Sequence, residues 1–109
     1  MKRVLIADDE PIERMIVSRT VEKYFSEELT VVSAANGREA VEQFFAGDCQ
    51  IALLDIEMPG MNGLEAAEQI RKRDKNCSII FLTAFDEFNY AKRAIAVRAM
   101  AVSYTHLTL

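Results

Sequence analysis

The chain has no tryptophan, one histidine, two cysteines, two prolines and four glycines in 109 residues. Each scarcity excludes something. His106 alone anchors no multi-histidine metal site and builds no Cys-His nucleophile pair. Cys49 and Cys77 stand far apart and form no C-x-x-C, so they read as two buried or half-buried thiols. There is no P-loop glycine-lysine motif, no G-x-G-x-x-G fingerprint and no zinc spacing. No apolar stretch approaches the ~20 residues that span a bilayer. After Met1-Lys2-Arg3 only four apolar residues precede two aspartates, too few for the core of a signal peptide. A cytoplasmic location is expected. The net charge is −4, and no basic patch offers phosphate-backbone contacts, which argues against nucleic-acid binding by this segment.

What is present is a patterned apolar half. Hydrophobic residues are 50% of the chain and charged residues 28%, enough for one domain with a real core. Strand and helix signals alternate. Lys2 to Ala7 reads as a strand. Pro11 then opens a helix at a position that needs no N–H donor, with Ile12, Met15, Ile16, Val17, Val21, Tyr24 and Phe25 at helical spacing. Leu29 to Ala34 reads as a second strand. Asn36-Gly37 turns into a helix carrying Ala40, Val41, Phe44 and Phe45, ended by Gly47. Gln50 to Asp55 is the third strand. Leu64, Ala67 and Ile70 mark a third helix that ends in Arg71-Lys72-Arg73, where cations suit a helix C-terminus. Ser78 to Thr83 is the fourth strand, and Phe88, Ala91, Ala94 and Ile95 mark a fourth helix. Met100 to Tyr104 fills the place of a fifth strand, and no fifth helix follows. This alternation predicts an α/β fold: a parallel sheet with helices on both faces. Strands three and four are apolar without alternation, as a sheet covered on both sides requires.

Three of these strands end in polar groups. Val4-Leu5-Ile6-Ala7 runs into Asp8-Asp9-Glu10. Ile51-Ala52-Leu53-Leu54 ends in Asp55, followed by Ile56-Glu57-Met58-Pro59-Gly60. Ile79-Ile80-Phe81-Leu82 ends in Thr83. In an open parallel sheet the C-terminal strand ends line the ligand crevice. Asp8, Asp9 and Asp55 gathered there would raise one another's pKa or need a cation. Mg²⁺ suits them, because it takes one or two carboxylates plus waters and a phosphate oxygen. One carboxylate is then free to act as a nucleophile towards phosphorus, and Thr83 can hydrogen-bond the transferred group. Taken singly, each piece has a plainer reading: Asp8-Asp9-Glu10 as a helix cap, Asp55 as a turn residue, Thr83 as an ordinary strand residue. Their occurrence together at one edge favours a site.

The stretches Val4 to Glu10, Leu53-Leu54-Asp55-Ile56-Glu57-Met58-Pro59-Gly60-Met61-Asn62-Gly63 and Phe81-Leu82-Thr83-Ala84 resemble the receiver domains of two-component response regulators. The resemblance covers about residues 1–100. It implies a flavodoxin-like, doubly wound fold with strand order 2-1-3-4-5 and a switch point between strands one and three. It also implies that Asp55 takes a phosphoryl group from a histidine kinase or phosphotransfer protein. By the same resemblance Asp9 and Asp55 ligate Mg²⁺ directly, Asp8 acts through the ion's water shell and Glu57 through its backbone carbonyl. Thr83 is the switch hydroxyl. Phe85 to Ile95 is similar to receivers joined to AraC-type helix-turn-helix transcription factors, which implies a DNA-binding output domain outside this segment.

The pattern breaks after Met100. The family's strand-five lysine should fall near Thr105 and its aromatic switch residue near Val102; neither is there, though Tyr104 shares the strand parity. Val102 to Leu109 resembles the translated end of a transposon adapter, with Ala101 at the junction. The domain is therefore read as residues 1–100, an incomplete receiver, followed by 101–109 as a non-native tail. The rival is a naturally divergent receiver, degenerate in its fifth strand, acting as a phosphorylation-independent interaction module. An aspartate-nucleophile phosphatase is a third reading, disfavoured because such enzymes carry Asp-x-Asp on the first strand. No enzyme is expected. Without a fifth helix, four or five aliphatic side chains at ~1.5–3 kcal/mol each go uncovered. The polypeptide as it stands is expected to be marginally stable or aggregation-prone. A thermal scan should show no cooperative monomer transition above about 50 °C, and a sharp one would contradict this.

Overall fold

The computed structural model describes residues 2–25, 27–83 and 93–103, without the side chains of 83 and 100–103. Its elements are β1 (Lys2–Ala7), α1 (Pro11–Phe25), β2 (Leu29–Ala34), α2 (Gly37–Ala46), β3 (Ile51–Asp55), α3 (Gly63–Arg73), β4 (Ser78–Thr83) and β5 (Met100–Ser103). The sheet is parallel throughout, in the order β2-β1-β3-β4-β5. The expected flavodoxin-like order is thus present, and β3 begins at Ile51, one residue after the expected Gln50. The fourth helix expected from Phe88 onward falls mostly outside the described residues; within them, 93–96 are helical.

Local chemistry sets the helix ends. Pro11 is the first residue of α1, where its fixed φ and missing N–H carry no penalty. Asn36 and Asn62 cap α2 and α3, each accepting from the amide three residues on, at 2.8 and 2.9 Å. Glu65 returns the bond to the Asn62 amide, closing a capping box.

The sheet's two faces are not equally covered. Leu5, Ala7, Ala52 and Leu54 pack with Phe44, Leu64, Ala67, Ile70 and Phe81 in one buried cluster that α2, α3 and residues 94 and 97 complete. Val4 and Ile6 point the other way and are buried, with α1 packed against β1 and β2. Farther along that face Ile51, Leu53 and Ile80 are only half-buried. A cleft of about 120 Å³ opens there between Ile16, Val17, Val21, Leu53 and Leu82. The sequence has no fifth helix to cover this face beside the first, and among the described residues α1 is the one helix on this side. The α1 stripe behaves accordingly. None of its residues is fully buried, and Ile12 is 68% exposed. In a urea titration Phe44→Ala should lose about 3–5 kcal/mol, whereas Ile12→Ser should stay within about 0.5 kcal/mol. Equal losses would show that α1 is packed from both sides.

Candidate functional site

The register brings the acids together. Ala7 pairs with Leu54 across β1 and β3, so Asp8 and Asp55 are the next residues on neighbouring parallel strands. Carboxylate oxygens of Asp8, Asp9 and Asp55 all lie within 4.8 Å of one another. Asp8 is buried; Asp9 and Asp55 are half-buried. Thr83 ends β4 at the same rim, one residue beyond Leu82, the partner of Asp55. The orientation of its hydroxyl lies outside the described residues. The Glu57 side chain is exposed and outside the trio.

The surrounding backbone holds the acids in place. The Glu10 amide donates to Asp8 Oδ1 at 3.0 Å. The Asp8 amide donates to Ala34 O at 3.1 Å, and the Asp8 carbonyl accepts from Arg14 Nη1 at 2.6 Å. The loop after Asp55 is clamped twice. Gly63 N donates to Ile56 O and Gly37 N to Met61 O. A Cβ on Gly63 would collide with the Asp55 carbonyl oxygen, and one on Gly37 with that of Met61. Both helix starts therefore press backbone to backbone on the segment that carries Asp55, an approach open only to glycine.

Electrostatics follow from the crowding. Burial is the main reason that the Asp55 carboxyl is pushed up to about 7; the charges of Asp8, Asp9 and Glu13 add to it, and the Glu57 amide opposes. Asp8 is pushed up to about 6, first by burial, then by Glu13 and Asp9, against the Glu10 amide bond. Glu13 is the site residue that the sequence pattern missed. It stands in the first turn of α1 and shares a side-chain hydrogen bond with Asp8. Its spacing matched the solvent side of an amphipathic helix, so nothing in the pattern singled it out.

The donor set is three hard carboxylate oxygens with no nitrogen or sulfur, which suits Mg²⁺ better than zinc or copper. Two of the three carboxyls are held above their ordinary range, so the pocket gains most from a divalent cation.

A family model described as the response regulator receiver domain matches residues 4–102, and the chain belongs to that family. The positive alginate biosynthesis regulatory protein of Pseudomonas aeruginosa is 41% identical over 85 residues, 78% of this chain but 34% of that protein. The chain thus spans about a third of that relative. Chemotaxis protein CheY of Thermotoga maritima is 41% identical over 86 residues, covering 79% of this chain and 70% of CheY. Among solved structures, the response regulator TrrA from Thermotoga maritima in complex with Mg(2+)-BeF matches with a TM-score of 0.80. It is 38% identical and covers 99% of this chain and 94% of TrrA. Receiver domains of this family bind Mg²⁺ at an acidic pocket, and Asp8, Asp9 and Asp55 form an acidic cluster in this chain.

The raised carboxyl pKa values give stability a definite sign. In the metal-free protein the folded state holds protons at Asp55 and Asp8 at pH values where the unfolded chain has lost them. Stability therefore rises as pH falls from 8 through 7 and 6 towards 5. Melting in EDTA should show Tm climbing over that interval, and Mg²⁺ should raise Tm most at pH 8. A Tm that falls steadily from pH 8 to 5 would contradict the arrangement.

Proposed function

We propose that this receiver accepts a phosphoryl group on Asp55, donated by a histidine kinase or phosphotransfer protein, and thereby controls an output domain joined to it. The observation that supports this most is the convergence of Asp8, Asp9 and Asp55 within 4.8 Å at the C-terminal rim of a parallel sheet. Asp9 and Asp55 would hold Mg²⁺ directly, Asp8 through water and Glu57 through its backbone carbonyl. When bound, the ion would neutralise charge on the transferring phosphoryl group.

The remaining steps belong to the chain. One Asp55 oxygen attacks phosphorus, the bond from phosphorus to the donor's nitrogen breaks, and that nitrogen keeps the electron pair. The product is an aspartyl phosphate. Burial of Asp55 keeps water from much of the carboxylate, and the Glu57 amide orients it. The Thr83 hydroxyl would hydrogen-bond the new phosphoryl oxygens. Residues 1–100 constitute the receiver in this reading. The output is a DNA-binding transcriptional regulator, and the site of action is the cytoplasm. Among the described residues no helix is long and apolar enough to cross a membrane.

One feature of the sequence favours the second reading, a module that never takes phosphate: no lysine stands among residues 101–109. Incubation with acetyl phosphate and Mg²⁺ separates the two. The intact protein should gain the mass of one phosphoryl group, labile to hydroxylamine, and Asp55→Asn should gain none. Failure of the native protein to take up phosphate, with Mg²⁺ binding intact, would favour the pseudo-receiver.

A further inference from the structure

Arg71 is buried to nine-tenths of its surface in the last turn of α3, and among the described residues no carboxylate pairs with it. A buried cation without an anion is costly unless its donors are all used. Here main-chain carbonyls use them. Nε donates to Val97 O at 2.8 Å and Nη2 to Arg98 O at 3.3 Å. Nη1 donates to Cys77 O at 2.7 Å and more weakly to Asp74 O at 3.4 Å, with the Cys77 sulfur at 3.5 Å. One guanidinium thus joins the α3–β4 connection to the turn that leads into β5.

That turn needs the help. Ala99 N donates to Ala94 O and Arg98 N to Ile95 O, the paired bonds of a Schellman cap. The position that usually takes glycine is Arg98, in left-handed backbone with φ 56°, which is strained for a residue with a Cβ. The helix end leaves carbonyls without intrahelical partners, and Arg71 supplies donors to Val97 O at that end and to Arg98 O just beyond it. Arg98 Nη2 to Lys75 O at 2.9 Å and the exposed Arg93–Glu68 pair at 2.6 Å add to the join from outside.

We propose that Arg71 is a conformational pin: its guanidinium caps the turn at residues 97–99 from within α3 and keeps this rim of the sheet fixed when charge arrives at the opposite, acidic rim. It rests on the receiver reading for the incoming charge, though not for the pin. β4 runs between the two rims, from Ser78 beside Cys77 to Thr83 beside the acids. With the far end tied to α3, a change at the acidic end has a fixed point to work against. Lysine cannot replace the planar fork that reaches two loops at once.

Amide hydrogen exchange at residues 93–99 tests this, with and without Mg²⁺ and beryllofluoride. In the native protein these amides should exchange at the same rates in both conditions. Arg71→Lys should exchange about tenfold faster there, as loss of a charged hydrogen bond implies, and its rates should become sensitive to the ligand. Arg98→Gly relieves the backbone strain and leaves the Arg71 bonds in place, so it should keep native-like protection. A native rim whose rates shift with ligand overturns the pin, as does an Arg98→Gly variant that opens as far as Arg71→Lys. A ligand that changes exchange nowhere in the protein, the β3–α3 loop included, overturns the receiver reading alone; the pin is then overturned only if Arg71→Lys leaves residues 93–99 as protected as in the native protein.

Discussion

Mutual repulsion among three carboxylates in a half-dry pocket is the constraint around which the molecule is arranged. At 4.8 Å or less two unit charges repel by about 1 kcal/mol in water and several times that in a poorly solvated pocket. The backbone amides of Glu10 and Glu57 relieve a part of the repulsion. Both carboxyls stay above their ordinary range, chiefly through burial, with the neighbouring charges adding to it. What remains is the repulsion that a small divalent cation would neutralise.

Holding the acids against their repulsion takes rigid supports, and these are mostly backbone. β1 and β3 lie at the centre of the sheet, flanked by β2 and β4, so neither can slip without breaking two ladders. Gly37 and Gly63 let α2 and α3 begin in direct contact with the loop that follows Asp55. Asn62 and Glu65 close the start of α3. The same economy governs the opposite rim, where Arg71 uses carbonyls rather than a carboxylate. The two rims differ in kind: one concentrates negative charge and waits for a ligand, the other neutralises a charge internally.

Much of this was legible in the sequence because local chemistry and global fold agree. Short unbroken runs such as Ile79 to Leu82, bounded by turn residues, suit inner strands, and a carboxylate ending such a run stands at the strand terminus. Pro11 and Asn36-Gly37 mark helix starts by mechanisms that need no tertiary context; the Asn62 cap shows only in the structure. Three things were hidden. The exposure of α1 depends on what else covers its face, which helical spacing cannot report: Ile12 and Val17 look alike in a pattern and differ in the fold. Glu13 looked like a surface residue because its partner, Asp8, is brought close by the turn into α1 and not by helical spacing. Arg71 looked like one of three cations favouring a helix end; Lys72 is exposed, Arg73 lies over the Phe45 ring, and only the three-dimensional path of residues 97–99 turns Arg71 inward.

The central claim is that Asp8, Asp9 and Asp55 form one cation site. Crystals grown with Mn²⁺ in place of Mg²⁺ test it directly, since the anomalous signal locates the ion without reference to any mechanism. The account predicts a single strong peak enclosed by these three carboxylates, lost in Asp9→Asn. An ion found elsewhere, or three acids left with ordered water alone at millimolar Mn²⁺, would contradict it.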